Sequence, residues 1–131
     1  MPLLAMMYPR GPGIKDTFGV EVVEHAARIG AELGADLVKT VYTGDRDSFR
    51  RVVQGCPVPV LVAGGPKVDS DGQLLSMVQG ALEAGAAGVS IGRNVFSHVD
   101  PAAMTAALVG LVHRRASIPD LLEQLRRSRG G

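Results

Sequence analysis

The chain has 131 residues, 46% of them hydrophobic and 21% charged, with a formal net charge of +1. That is the composition of one ordinary globular unit. It excludes a large electrostatic field for nucleic acid, and with 4% aromatics and no Trp it excludes a stacking platform for bases.

The single cysteine, Cys56, rules out a disulfide framework and points to a reducing, cytoplasmic setting. It precedes "PVPVLVA" and reads as a small core residue. The opening "MPLLAMMYPR" lacks the basic start and long apolar run of a signal peptide. No apolar run approaches the roughly 20 residues of a membrane span.

The first strand is predicted over Pro2–Tyr8 ("PLLAMMY"). A helix follows through "VEVVEHAARIGAELG", capped by Asp16 or Thr17 and stopped by Gly34. Val22, Ala26, Ile29 and Leu33 recur at helical spacing and predict its buried face. A second strand spans Asp36–Val41, and a short helix covers Ser48 to Gln54. The third strand is Pro59–Gly65. The helix after it starts at Ser70, where "SDGQ" matches a Ser-x-x-Gln capping box, and ends near Gly85. The fourth strand is Gly88–Arg93. A helix then begins at Asp100, with Pro101 in its first position, and runs to about Arg114. A last amphipathic helix, Pro119 to Arg127, follows the cap Ser117.

Strands alternating with helices predict an α/β fold with a parallel sheet. Each strand is a near-continuous apolar run, as in sheets covered on both faces. The phrases "GAELGADLVKT" and "GALEAGAAGVSIGR" repeat the order helix end, Gly-Ala, strand, which suits stacked βα units.

In parallel α/β folds the chemistry gathers at the C-terminal ends of the strands. Those ends carry Tyr8-Pro9-Arg10-Gly11, Lys39-Thr40, Gly64-Gly65-Pro66-Lys67 and Gly92-Arg93-Asn94. Gly64 and Gly65 permit close backbone approach, so their N–H groups could cradle an anion beside Lys67 and Arg93. The bland reading is two tight turns with solvated cations.

Lys39 sits at the end of an apolar strand. It is either a strand-end lysine whose stem lies on apolar surface while its ammonium reaches water, or a working amine. A desolvated, neutral lysine can attack a carbonyl and form a Schiff base. Such chemistry needs a proton shuttle, and Tyr8 ends the neighbouring strand; its phenol would serve if Lys39 or Arg10 lowered its pKa. His25 and His113 fall in helices and His98 in a loop, without metal-ligand spacing, so no metal or cofactor is expected. Asp45 and Asp47 read as a helix start.

The blocks "MMYPRG", "ADLVKTVYTGD", "VPVLVAGGPK" and "GVSIGRNVFSHVDPAAM" resemble, in order, the signature blocks of the archaeal-type class I fructose-bisphosphate aldolases. That family includes 2-amino-3,7-dideoxy-D-threo-hept-6-ulosonate synthase and is related to the deoxyribose-phosphate aldolases. The resemblance implies a (βα)4 half of a TIM (β/α)8 barrel with a C-terminal helix, spanning residues 1–131 and similar to strands five to eight. It implies Lys39 as the Schiff-base lysine, Tyr8 as the proton-transfer residue, and phosphate contacts from Gly64, Gly65, Lys67, Gly92 and Arg93. The substrate would be a phosphorylated sugar or ketose.

A full barrel takes eight strands and about 250 residues. The expectation is therefore that the N-terminal half, with the family's first-strand aspartate, lies outside this chain. The half-barrel would pair with a complementary half or with itself. A catalytically inactive half-barrel with a phosphate pocket, and a related thiolase acting on a phosphorylated autoinducer, are the alternative readings.

Overall fold

A computed structural model describes residues 1–130. Four strands, β1 (Leu4–Met6), β2 (Leu37–Thr40), β3 (Val60–Ala63) and β4 (Gly88–Ser90), form one parallel sheet in the order β1-β2-β3-β4. Helices α1 (Val20–Glu32), α2 (Arg46–Gly55) and α3 (Asp71–Glu83) alternate with them; α4 (Arg93–Phe96), α5 (Pro101–Arg114) and α6 (Ile118–Arg129) follow β4. Each strand begins within a residue or two of its expected start. The hydrogen-bonded ladders stop short of the apolar runs because the strand ends turn away into the rim loops.

The caps explain most helix starts. Asp45 accepts from the Asp47 and Ser48 N–H groups, and the bonds from Ser48 hold its carboxyl below the usual carboxylate range. Ser70 accepts from Gln73 N at 3.3 Å, while the Gln73 side chain reaches back one residue further than the standard box, to Asp69 N at 3.1 Å. Asp100 and Ser117 cap α5 and α6. The first helix departs from expectation. Gly19 stands at its N-cap without a side-chain bond, and Asp16 instead accepts from Phe18 N at 2.9 Å in the turn before it. The one-turn helix α4 has no counterpart in the sequence pattern.

Two apolar clusters hold the layers together. One packs Val23 and Ala27 of α1 and Phe49 and Val52 of α2 onto Val38, Val60 and Val62 of the sheet. The other packs Leu74, Leu75 and Val78 of α3 against Met104, Leu108 and Leu111 of α5 and Leu121 and Leu125 of α6. Cys56 is buried in the first cluster, its thiol 3.7 Å from the Ala27 carbonyl.

The expected stripe of α1 is only partly buried. Val23, Ala26, Ala27 and Gly30 face the core, whereas Ile29 is 37% and Leu33 82% exposed. Small residues win the sheet-facing side because the helix lies close: a methyl on Gly30 would meet Met7 Cγ at 2.7 Å and Val38 Cγ2 at 3.2 Å.

Strand register sets what each sheet face carries. Met6 pairs with Lys39, Lys39 with Leu61, and Leu61 with Gly88. Laterally paired residues share a face, so Leu4, Met6, Leu37, Lys39 and Leu61 lie opposite the helix-covered Val38, Val60 and Val62. No helix of the described residues covers that second face, and Met6 is 65% exposed on it.

Candidate functional site

The site is built from the chain reversals where each strand ends. After β1, Met7 is anchored twice: its N–H donates to the Lys39 carbonyl and its own carbonyl accepts from Thr40 Oγ1, both at 2.8 Å. Thr40 is fully buried. These bonds fix the next residue, Tyr8, beside the end of β2, where Lys39 is half-buried.

After β3 the chain passes through Gly64, where a side chain has no room: a methyl would sit 2.7 Å from Ile91 Cγ2. Gly65 follows in the left-handed region at φ +65°, a conformation that favours glycine. After β4, Gly92 leads into α4 and Arg93 opens to solvent.

Tyr8, Lys39, Gly64, Gly65, Gly92 and Arg93 all line one recess of about 610 Å³ at the C-terminal ends of the strands. Six of the seven residues singled out in the sequence are thus brought together. Lys67 is not among them. It lines a neighbouring recess of about 220 Å³ with Asp71, Asn94, His98 and Arg129.

Arg10, Thr17, Phe18 and Ser90 also line the larger recess. Arg10 stands in the same strand-end run as Tyr8, so its place was legible. Thr17 and Phe18 arrive by the fold-back of the β1–α1 loop, which leaves no mark in the sequence pattern. Asn94 is the other residue that sequence reasoning left without a role. It is buried and bonds three backbone groups of the Gly64–Val68 segment.

The electrostatics are one-sided. Arg10, Lys39 and Arg93 line the recess, and no carboxylate of the described residues does. Burial raises the Tyr8 phenol above the usual tyrosine value, and the neighbouring Arg10 cation only partly offsets this. The condition of a lowered pKa is therefore not met: desolvation outweighs the cation, and the Tyr8 phenol holds its proton more firmly than a free tyrosine. Such a rim can hold an anion and present an amine to a carbonyl.

Among the described residues, no group of three or more His, Cys, Asp or Glu is gathered as a metal site would require. No helix of the described residues is long and apolar enough to cross a membrane.

A family model described as DeoC/LacD family aldolase matches residues 1–98. Over 113 residues the chain is 49% identical to a 2-amino-4,5-dihydroxy-6-oxo-7-(phosphonooxy)heptanoate synthase of Streptomyces griseus, covering 86% of this chain and 41% of that protein. It is 48% identical to a 2-amino-3,7-dideoxy-D-threo-hept-6-ulosonate synthase of Halobacterium salinarum, with 86% and 42% covered. Among solved structures, it superposes with TM-score 0.83 and 42% identity on an archaeal fructose-1,6-bisphosphate aldolase whose catalytic Lys is covalently bound to the carbinolamine intermediate. That match covers 86% of this chain and 45% of the other. The chain spans less than half the length of these relatives.

Proposed function

The chain belongs to the DeoC/LacD aldolase family, and on that premise we propose that it carries the Schiff-base half of an aldolase-type carbon–carbon lyase or synthase site for phosphorylated sugars or ketoses. The observation that carries this reading is the convergence of Tyr8, Lys39, Gly64, Gly65, Gly92 and Arg93 on one cationic recess.

In this reading the Lys39 amine adds to the substrate carbonyl. The carbinolamine loses water to give an iminium, which accepts the electron pair of the adjacent C–C bond as that bond breaks and the hydroxyl on its far carbon gives its proton to water. Aldehyde leaves, an enamine remains, and protonation of its carbon followed by hydrolysis returns the amine. Tyr8, a phenol lining the same recess as Lys39, is the proton donor. The Gly64–Gly65 and Gly92–Arg93 loops hold the phosphate, which fixes the carbonyl within reach of Lys39. Two features support this assignment: the room that glycine leaves for backbone donors, and the positive charge of Arg93. Lys67 lines the neighbouring recess and not this one, so the reading leaves it out of the phosphate site.

The reading includes a complementary N-terminal half-barrel of the same fold. The uncovered sheet face and the length of the relatives support it. Cytoplasmic residence suits a buried free thiol at Cys56.

Borohydride trapping with dihydroxyacetone phosphate tests the reading. The chain has three lysines, Lys15, Lys39 and Lys67. In the chain assembled with a complementary half, the reduced ligand mass is expected on the peptide containing Val38-Lys39-Thr40, and Lys39→Met abolishes it. Labelling of another lysine, or none in the assembled sample, overturns the enzyme reading and leaves a catalytically inactive half-barrel.

A further inference from the structure

Asn94 is a primary amide in a buried position, and three of its four hydrogen-bonding positions, both donors among them, are used. Its Oδ1 accepts from Val68 N at 3.0 Å. Its Nδ2 donates to the Gly64 carbonyl at 2.9 Å and to the Pro66 carbonyl at 3.0 Å. The partners fix the amide's orientation, since one N–H needs an acceptor and two carbonyls need donors. One side chain at the end of β4 thereby grips the whole loop that follows β3.

This grip has a consequence for the other side of the loop. No peptide bond among the described residues is cis, so each C=O and the N–H of the next residue point in opposite directions. With the Gly64 and Pro66 carbonyls turned onto Asn94, the N–H groups of Gly65 and Lys67 point away from it. Asn94 lines the small recess and not the large one; Gly64, Gly65 and Pro66 line the large one. Neither N–H donates to another backbone group among the described residues. Gly65 stands in the left-handed region at φ +65°, and because Pro66 after it has no N–H, Gly65 supplies the free backbone donor of this turn on the large recess.

We propose that Asn94 is a positioning residue that aims the Gly65 backbone N–H into the recess as a donor for a phosphate group. The inference deepens the phosphate site of the reading above and rests on it. Because Asn94 follows Arg93 directly, the same side chain locks the guanidinium-bearing loop to the amide-bearing one.

The test is a titration of the 15N-labelled chain with inorganic phosphate, followed residue by residue through backbone amide shifts. In the wild type, Gly65 is expected to move together with Arg93. Asn94→Asp is isosteric but turns a carboxylate oxygen toward two carbonyls. It is expected to weaken the phosphate response about tenfold or more, in line with two lost amide bonds. Trapping of unphosphorylated dihydroxyacetone on Lys39, in the chain assembled with a complementary half, should stay unchanged in the variant, whereas a general structural defect would lower both. Asn94→Ser, which keeps one neutral donor, should lie between the two and serves if Asn94→Asp does not fold.

A phosphate affinity equal to wild type in either variant overturns the inference. So does a wild-type response at Arg93 without one at Gly65, which would leave the phosphate reading intact. No response anywhere on the rim overturns the phosphate reading itself, and the inference with it.

Discussion

The Thr40 hydroxyl donates to the Met7 carbonyl at 2.8 Å across 33 residues of sequence, from a position with no solvent exposure. The bond sits between the two groups that the proposed chemistry needs: Lys39 precedes Thr40 and Tyr8 follows Met7. Thr40→Val keeps the shape and removes the donor, leaving a carbonyl without its partner. A loss of about 1–3 kcal/mol is expected, seen as a lower urea midpoint with an unchanged slope. In the assembled enzyme, imine trapping should slow as well, because Tyr8 is no longer held against β2. A variant as stable as the wild type would show that the bond contributes nothing.

Tyr8 and Tyr42 are the only tyrosines, and there is no Trp, so phenolate absorbance reports on them directly. Burial raises both above the ordinary tyrosine value; Arg10 opposes this at Tyr8, while Asp45 and Glu83 add to it at Tyr42. A raised folded-state pKa means the folded chain holds its proton longer than the unfolded one. The associated stability is complete below about pH 10 and is lost as pH rises through the folded values. Spectrophotometric titration should therefore place ionisation later than in free tyrosine, with denaturant resistance falling over the same range. Tyr8→Phe should leave the later Tyr42 transition alone. Ionisation of Tyr8 at or below the free value would return it to the role of a base.

Much of this was legible because few physical rules decide it. Apolar runs punctuated by Gly-Ala gave strands, and Asp45, Ser70, Asp100 and Ser117 announced helices through cap chemistry. The convergence of Tyr8, Lys39 and the glycine loops followed from strand direction alone. What was hidden depends on distance. Nothing in the spacing says that α1 lies so close to the sheet that Gly30 takes the inner position and Leu33 the outer. Nor does it say that Lys67 lines the neighbouring recess, or that Asn94, 27 residues on, holds the Gly64 and Pro66 carbonyls just before it.

The two glycines after β3 should respond differently to the same substitution. Gly64→Ala places a methyl 2.7 Å from Ile91 Cγ2, inside a packed region, and is expected to cost about 1–3 kcal/mol through overpacking. Trimming the neighbour, as in Gly64→Ala with Ile91→Val, should recover part of the loss. Gly65→Ala meets nothing within 4 Å, so its cost is the φ of +65°, about 1 kcal/mol, and Ile91→Val should not relieve it. Thermal melts of the four variants check this, and equal rescue of both glycine variants would contradict it.

The last prediction concerns the flanks of the sheet. Glu24 on one side of α1 pairs with Arg51 of α2 at 3.1 Å. By helical geometry Val22, Ile29 and Leu33 lie on the other side, toward the open edge of β1. At the opposite edge Phe96 is 81% and Val109 41% exposed, beside a groove of about 500 Å³ that also takes in Val89, Ile91 and Leu108. Each end of the sheet thus combines unpaired strand backbone with an apolar helix flank, the combination that another βα layer covers. In the proposed assembly a complementary half would seat on both ends at once. Sedimentation of the chain alone should show concentration-dependent association above its 13.7 kDa mass. Leu33→Glu with Val109→Glu should shift it toward monomer, because each charge lies outside the core and removes only the sticky flank. Mixing the wild-type chain with the N-terminal half of a family member should yield a defined one-to-one complex that the double variant fails to form. A stable monomer over a wide concentration range, indifferent both to the added half and to the two glutamates, would show that these flanks are ordinary surface.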